Sequence, residues 1–346
     1  MASEVQLLGG DSLNGFKLPC AVKTSACIAN GPGAKSGTVT LLPGSKQVQC
    51  CRPCFDAKLA SGEWLFNAPK KVTRPAYEAD PAPQGSEELK AAFERLVAFK
   101  KKFAGEAVNN ADAQTKMSLR AEPGGIAIKW FGWYESELLD DLFTLVATKD
   151  VAPQVSAIEI TGEAAGVNGT RNWNLKYLVA EGPLPKLARL VVEGTRPGDH
   201  NHSIIGNYSS EERGVLGALL DKAPALEHLE VPSAPGASFF KRESHGLRRL
   251  VIQTGYAHQG FIEALARSTC FPSLETLDFT DSMLTTLEDF ESKRTPAASY
   301  EALLAATGLP ALTSLTLRGT KLTAGDAGRL RATALGKRLG TLSIVG

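Results

Sequence analysis

Pro272-Ser273-Leu274-Glu275-Thr276-Leu277-Asp278-Phe279 is the stretch whose reading decides the fold of this chain. It has the form Pro-x-Leu-x-x-Leu-x-apolar, and the chain repeats it. Pro185 leads into Leu187, Leu190 and Val192; Pro224 into Leu226, Leu229 and Val231; Pro310 into Leu312, Leu315 and Leu317. Leu247, Leu250 and Ile252 keep the spacing without the proline, and weaker copies stand at Val155, Ile158, Ile160 and at Leu339, Leu342, Ile344. Such self-similarity marks one supersecondary unit used many times, each copy unable to bury its apolar face alone. The longer steps between copies carry helical periodicity: Val215, Leu216, Leu219 and Leu220 behind a capping Ser210, then Phe261, Ile262, Leu265 and Ala266. Two more helices are expected over 300–307 and 324–335. The short step from Leu226 to Leu247 has room for a loop only. Strand, loop, helix, strand is a right-handed crossover unit, which lays its strands parallel.

These copies read as the strand unit of a leucine-rich repeat. The expected fold class is therefore α/β: a leucine-rich repeat solenoid over residues 151–346, with a parallel sheet on its concave face and helices outside. Because side chains alternate along a strand, the residues between the leucines point out of the sheet. That outward set supplies the candidate partner-binding residues Arg189, Glu193, His228, Glu230, Arg249, Gln253, Thr276, Asp278 and Arg318. Val191, Pro232, Val251, Thr280, Ser314 and Thr316 share the same parity. The surface mixes both charges with few large aromatics, which suits a polar protein partner better than an apolar peptide.

Upstream, residues 86–150 read as a helix–hairpin–helix module. Ser86 caps a helix with Glu87 and Glu88 in its first turn and Lys100, Lys101 and Lys102 in its last, each charge where the helix dipole favours it. The lysine run reads as a solvated helix end. A hairpin over 117–133 turns at Glu122-Pro123-Gly124-Gly125. Its aromatics Trp130, Phe131, Trp133 and Tyr134 are expected to plug the end of the array, since terminal repeats need covering. A helix over 135–147 follows. The Pro- and Ala-rich residues 67–85 read as a linker.

Residues 1–66 hold Cys20, Cys27, Cys50, Cys51 and Cys54. Tetrahedral zinc takes four soft ligands, and separated cysteine pairs supply them. Cys51-x-x-Cys54 has the spacing of a knuckle, and Cys20 with Cys27 is the natural second pair, so the metal ligands are expected to be Cys20, Cys27, Cys51 and Cys54. Cys50 competes with Cys51 for the role. The segment Gly37-Thr38-Val39-Thr40-Leu41-Leu42 reads as a strand before a Pro-Gly turn, and two hairpins bringing cysteine pairs together resemble a zinc ribbon. A closed four-thiolate site stabilises a small domain and does not catalyse. Free structural thiols and a redox dithiol at Cys51 and Cys54 are the competing readings. Lys17, Lys23, Lys35, Lys46, Arg52 and Lys58 beside Phe55, Trp64 and Phe66 raise nucleic-acid binding as an alternative, less favoured than aromatics that simply cover the metal.

The whole chain has 346 residues, 43% of them hydrophobic, and a net charge of +1. That composition argues against wholesale disorder and against binding nucleic acid by bulk charge. The first residues lack a basic n-region and a long apolar run, so no signal peptide is expected. No stretch approaches a membrane span, which leaves the cytoplasm as the default location. Asp199-His200-Asn201-His202 offers half a metal site but reads as a solvated loop. Cys270 reads as a small buried residue, the alternative being a nucleophile with His258 nearby in sequence. No phosphate loop, GxSxG or HExxH motif occurs. Phe131-Gly132-Trp133, the helix of Ala218 to Leu220 before Pro224-Ala225-Leu226-Glu227-His228-Leu229, and Leu247-Arg248-Arg249-Leu250-Val251-Ile252-Gln253-Thr254-Gly255 together carry a resemblance. Over residues 126–346 the chain resembles bacterial intracellular leucine-rich repeat proteins with long, irregular repeats. The resemblance implies recognition and no defined chemistry. The expected function is thus non-enzymatic binding of another protein, with zinc as a structural cofactor and no membrane partner.

Overall fold

The structure is a computed structural model that describes residues 3–7, 13, 19–28, 36–42, 46–66, 72–108, 114–134, 136–162, 170–196, 199, 201–206, 211–281 and 294–345. The chain divides into two compact units, Met1–Val72 and Thr73–Gly346.

In the first unit, strands β1 (Ser3–Leu7), β2 (Gly37–Leu42), β3 (Lys46–Cys50) and β4 (Trp64–Phe66) form one sheet in the order β3-β2-β1-β4. The predicted strand at 37–42 is β2, and it pairs antiparallel with β3. Helix α1 (Arg52–Ala60) starts directly after β3, with Pro53 in its first turn, where a proline costs no hydrogen bond. Among the described residues the cysteine pairs therefore come from a loop and a helix start, and the two-hairpin expectation is corrected on that point. Phe55 packs edge-on against Trp64 and Phe66, with ring centroids 5.9 and 5.3 Å apart.

The second unit opens on the stretch expected to be a linker. Its described part is held down: Arg74 is buried and pairs with Glu106 at 2.8 Å. Asp80 accepts from the Leu119 N–H at 2.9 Å and pairs with Lys100 at 2.7 Å. Helix α2 (Glu87–Phe103) begins as expected, its Ser86 hydroxyl accepting from the Leu89 N–H. Lys100, expected in solvent, is buried instead, because Asp80 and the Glu78 carbonyl replace its hydration. The hairpin β5 (Lys116–Glu122) and β6 (Gly125–Phe131) has the expected turn. Gly125 has φ +149, and a Cβ there would stand 2.4 Å from the Gln154 carbonyl oxygen, so only glycine fits. Helix α3 (Glu137–Val146) leads to the repeats.

Chain order then brings β7 (Val155–Thr161), β8 (Thr170–Trp173), β9 (Arg189–Val192), β10 (His202–Ile205), α4 (Val215–Lys222), β11 (His228–Val231), β12 (Arg249–Gln253) and α5 (Phe261–Arg267). After them come β13 (Thr276–Thr280), α6 (Ala297–Ala305), β14 (Ser314–Arg318), α7 (Ala324–Ala332), α8 (Ala334–Arg338) and β15 (Thr341–Val345). Among the described residues nine strands make one sheet, ordered β15-β14-β13-β12-β11-β9-β7-β6-β5. Every pairing in it is parallel except the hairpin β5–β6. The hairpin thus begins the same sheet as the repeated strands. The leucine pattern sets the register: Ile158, Leu190, Leu229, Leu250, Leu277, Leu315 and Leu342 lie side by side across successive strands. A one-residue slip would turn that whole row to the other face, which is why the register holds. The row shares a continuous core with Leu216, Leu219, Phe261, Leu265, Tyr300 and Leu303 of the helices. Trp130 and Tyr134 are buried in that core, as the plug reading requires.

Three local features differ from the sequence expectation. β8 and β10 form a second, two-stranded parallel sheet. Helix α4 starts later than expected, and Ser210 lies outside the described residues. Its start is capped by the buried Glu212, whose carboxylate accepts from the N–H groups of Gly214 and Leu216, both at 2.8 Å. The short step between Leu226 and Leu247 holds a single 3-10 turn, Ala237–Phe240.

Candidate functional site

The cysteines converge. Cys51 is the residue before α1, in extended conformation (φ −81, ψ 157), and Cys54 lies in the first turn. This start aims both thiols to one side of the helix end, where the dipole favours thiolate. Cys20 and Cys27 approach from the loop 19–28, and Lys23 at φ +48 lets that loop double back. The sulfurs of Cys20, Cys27, Cys51 and Cys54 all lie within 4.8 Å of one another, all but Cys27 buried. Cys51 and Cys27 sulfurs are 3.9 Å apart, too far for a disulfide, and no disulfide joins the cysteines. The Cys50 thiol adjoins this group without being part of it, and donates to the Cys51 carbonyl at 3.4 Å. Of the two competing residues, Cys51 is the one in the cluster.

Backbone donors serve the sulfurs. The Cys51 N–H points at the Cys20 sulfur (3.4 Å), and the Thr24 N–H and hydroxyl both donate to the Cys54 sulfur (3.3 and 3.1 Å). Burial works against ionising Cys20, but the N–H groups of Lys23, Cys51 and Val22 outweigh it and bring its pKa down to about 6. Burial pushes the Cys54 thiol up to about 12 despite its Thr24 donors, with the Cys51 and Cys27 thiols adding to the rise. Burial, reinforced by the neighbouring thiols of Cys20, Cys54 and Cys51, pushes Cys50 far up as well. One thiolate forms readily here, and each further one is repelled by its neighbours. A divalent cation removes that repulsion, so the donor set fits a soft metal ion held by four cysteines. With every position taken by protein, the centre would cross-link and would not catalyse.

The aromatics beside this centre are core. Phe55 is 2% and Trp64 8% exposed, which leaves neither ring face free to stack on a base. Arg52 is engaged by Asp56 at 3.0 Å and Lys58 by Glu63. Lys17 and Lys35 lie outside the described residues.

On the large sheet, the register sorts the candidate partner-binding residues into rows. Arg189, His228, Arg249 and Thr276 stand side by side; Glu230 and Asp278 stand in the next row; Gln253 and Arg318 stand in a third. Some are occupied. Asp278 and Arg318 form a two-pronged pair at 3.1 Å, Arg189 reaches Glu159 at 3.3 Å, and His228 lies 3.8 Å from Glu230. Gln253 clamps Thr195 through both its amide atoms, and Glu193 accepts from the Gly162 N–H and pairs with Arg196. Arg249 is exposed and has no ion-pair partner among the described residues. Val191 and Pro232, expected on this face, are buried, Val191 between Glu159 and Glu230 of its neighbouring strands. Lys129 and Glu159 extend the face onto β6 and β7, as the strand period at Ile158 and Ile160 already implied. A cleft of about 330 Å³ opens beside Glu230, Gln253, Asp278 and Arg318.

The remaining candidates are structural. Asp199 binds the buried Arg171 at 2.7 Å, and Asn201 is buried. His202, expected in a solvated loop, begins β10 instead, where burial lowers its pKa, and His200 lies outside the described residues. Cys270 is buried, its thiol 2.7 Å from the Arg242 carbonyl. Among the described residues no helix is long and apolar enough to cross a membrane. No protein-family model matches the chain, and no curated protein matches it.

Proposed function

We propose that this chain is a non-enzymatic recognition protein. In this reading residues 151–346 are a leucine-rich repeat solenoid whose strands line the concave side, and another protein binds across their outward face. The supporting observation is the register. It brings Arg189, His228 and Arg249 into a basic row beside an acidic row of Glu159, Glu230 and Asp278, with Arg249 left for a partner. Adjacent rows of opposite sign steer and orient a partner more than they tighten it. Zinc is the proposed ion at Cys20, Cys27, Cys51 and Cys54, because a four-thiolate set of this kind is its usual structural site. Unbridged cysteines fit a reducing cytoplasm.

The test is Arg249→Glu combined with Asp278→Arg. Capture of a specific protein from host lysate is expected to fall at least about tenfold, which is about 1.4 kcal/mol. The thermal midpoint should stay put, since the Asp278–Arg318 pair is partly exposed and such pairs contribute little. Unchanged capture would reject the outward face as the binding surface. Metal analysis decides between the zinc and dithiol readings: one tightly held zinc per chain leaves Cys51 and Cys54 no redox chemistry.

A further inference from the structure

The two edges of the large sheet are finished differently. At one edge β5 carries Lys116, Arg120 and Glu122, and Asp80 fills the outward N–H of Leu119 at 2.9 Å. Charges and occupied donors are how natural sheets prevent a further strand from adding. At the other edge β15 reads Thr341-Leu342-Ser343-Ile344-Val345, with no charge and no proline. Its register with β14 runs without a bulge.

Backbone groups on alternate residues of a strand point to opposite sides. The Thr341 N–H donates to Thr313, and the Val345 carbonyl accepts from Gly319, so the odd-numbered residues serve β14. Leu342 and Ile344 therefore direct their N–H and C=O groups away from the sheet. The Leu342 carbonyl accepts from the Arg331 guanidinium at 2.9 Å, and a carbonyl oxygen has a second lone pair to offer. The side chains tell the same story. Leu315 and Leu317 on β14 are fully buried, while Leu342 and Ile344, their register mates on β15, are only half-buried.

The rim of this edge is basic. Glu301 and Asp326 are the acids of α6 and α7, and Arg329 holds both. Arg331 and Lys337 are exposed and have no acid partner among the described residues. A second copy of the chain would bring its own Arg331 and Lys337 to the same seam. An acidic strand would meet them favourably.

We propose that β15 is a docking edge for an extended, acidic segment of another protein, which adds as a further strand. Its backbone pairs with Leu342 and Ile344, its apolar side chains cover theirs, and its carboxylates lie within the field of Arg331 and Lys337. This surface is separate from the outward face, so either reading can fail without the other.

The probe is a labelled heptapeptide of alternating valine and glutamate, titrated with the full chain and followed by fluorescence anisotropy. Saturable binding is expected with a Kd on the order of 100 µM at low salt, weakening as salt rises. Ile344→Pro removes an outward N–H without touching a bond to β14, and should weaken binding about tenfold or more. Arg331→Glu is a surface change expected to weaken binding about fivefold with the far-UV circular dichroism unchanged, and it decides the matter alone if Ile344→Pro frays the strand. Failure of the peptide to bind, equal binding of an alternating valine–lysine peptide, or unchanged binding by both variants would overturn the proposal. So would a chain that sediments as a dimer and turns monomeric on Ile344→Pro, because the edge would then belong to a second copy.

Discussion

Two kinds of core hold this protein together. In the first unit the buried cluster is Val5, Leu13, Cys20, Val39, Cys50, Cys51, Cys54, Phe55 and Trp64, so sulfur takes up much of what aliphatic side chains would otherwise fill. In the second unit a single run of leucine, isoleucine and phenylalanine extends from α2 to α8. A domain of the first kind is too small to be stable on apolar burial alone, and a domain of the second kind has no such need. The difference teaches where a metal would matter: an ion held by the four cysteines would staple the first unit, and the second has no use for one.

Withdrawing the metal should break the comparison most sharply. Structural zinc contributes on the order of 10 kcal/mol to small domains. Treatment with a strong chelator, or Cys54→Ser, should abolish the first unit's transition in scanning calorimetry and leave the second unit's midpoint in place. Cys50→Ser should keep the metal, since its sulfur lies outside the four-thiol group. A common shift of both transitions would show that the two cores are not independent.

The next largest effect belongs to the second unit. Asp80→Ala strands the buried Lys100 ammonium and leaves the Leu119 N–H without its acceptor. Breaking a buried pair from one side costs about 3–5 kcal/mol. The denaturant midpoint of the second unit should drop accordingly, with the metal content of the first unchanged. The smallest effect expected is that of Ser86→Ala, which removes the cap of α2 for about 1 kcal/mol. A loss of that size, seen only in the second unit's midpoint, would sharpen the contrast.

How much could be read from the sequence follows from the range of the forces involved. The leucine spacing specified the parallel strands and their faces, because a two-residue period is written locally and each row repeats it. The four sulfurs were legible for a similar reason: few other arrangements use cysteine pairs so close in sequence. Lys100 was misread because its partner Asp80 lies twenty residues upstream, in a stretch whose prolines signal only the absence of regular structure. Helix α1 was missed because its first turn, Cys51-Arg52-Pro53-Cys54, looks like a metal knuckle before it looks like a helix start. β8 and β10 are only four residues each and carry no alternating apolar pattern, so only tertiary pairing makes them strands. Glu212 caps α4 from within a left-handed turn, a device that no capping-residue rule anticipates.

Strand order in the large sheet follows chain order without exception. A pulling force applied at the C-terminal end would therefore meet β15 first and could reach β14 only after β15 had sheared away, and so on toward the hairpin. Stretched in an optical trap, this unit should yield in a series of small, ordered ruptures, unlike folds whose two ends clamp the middle and give way at once.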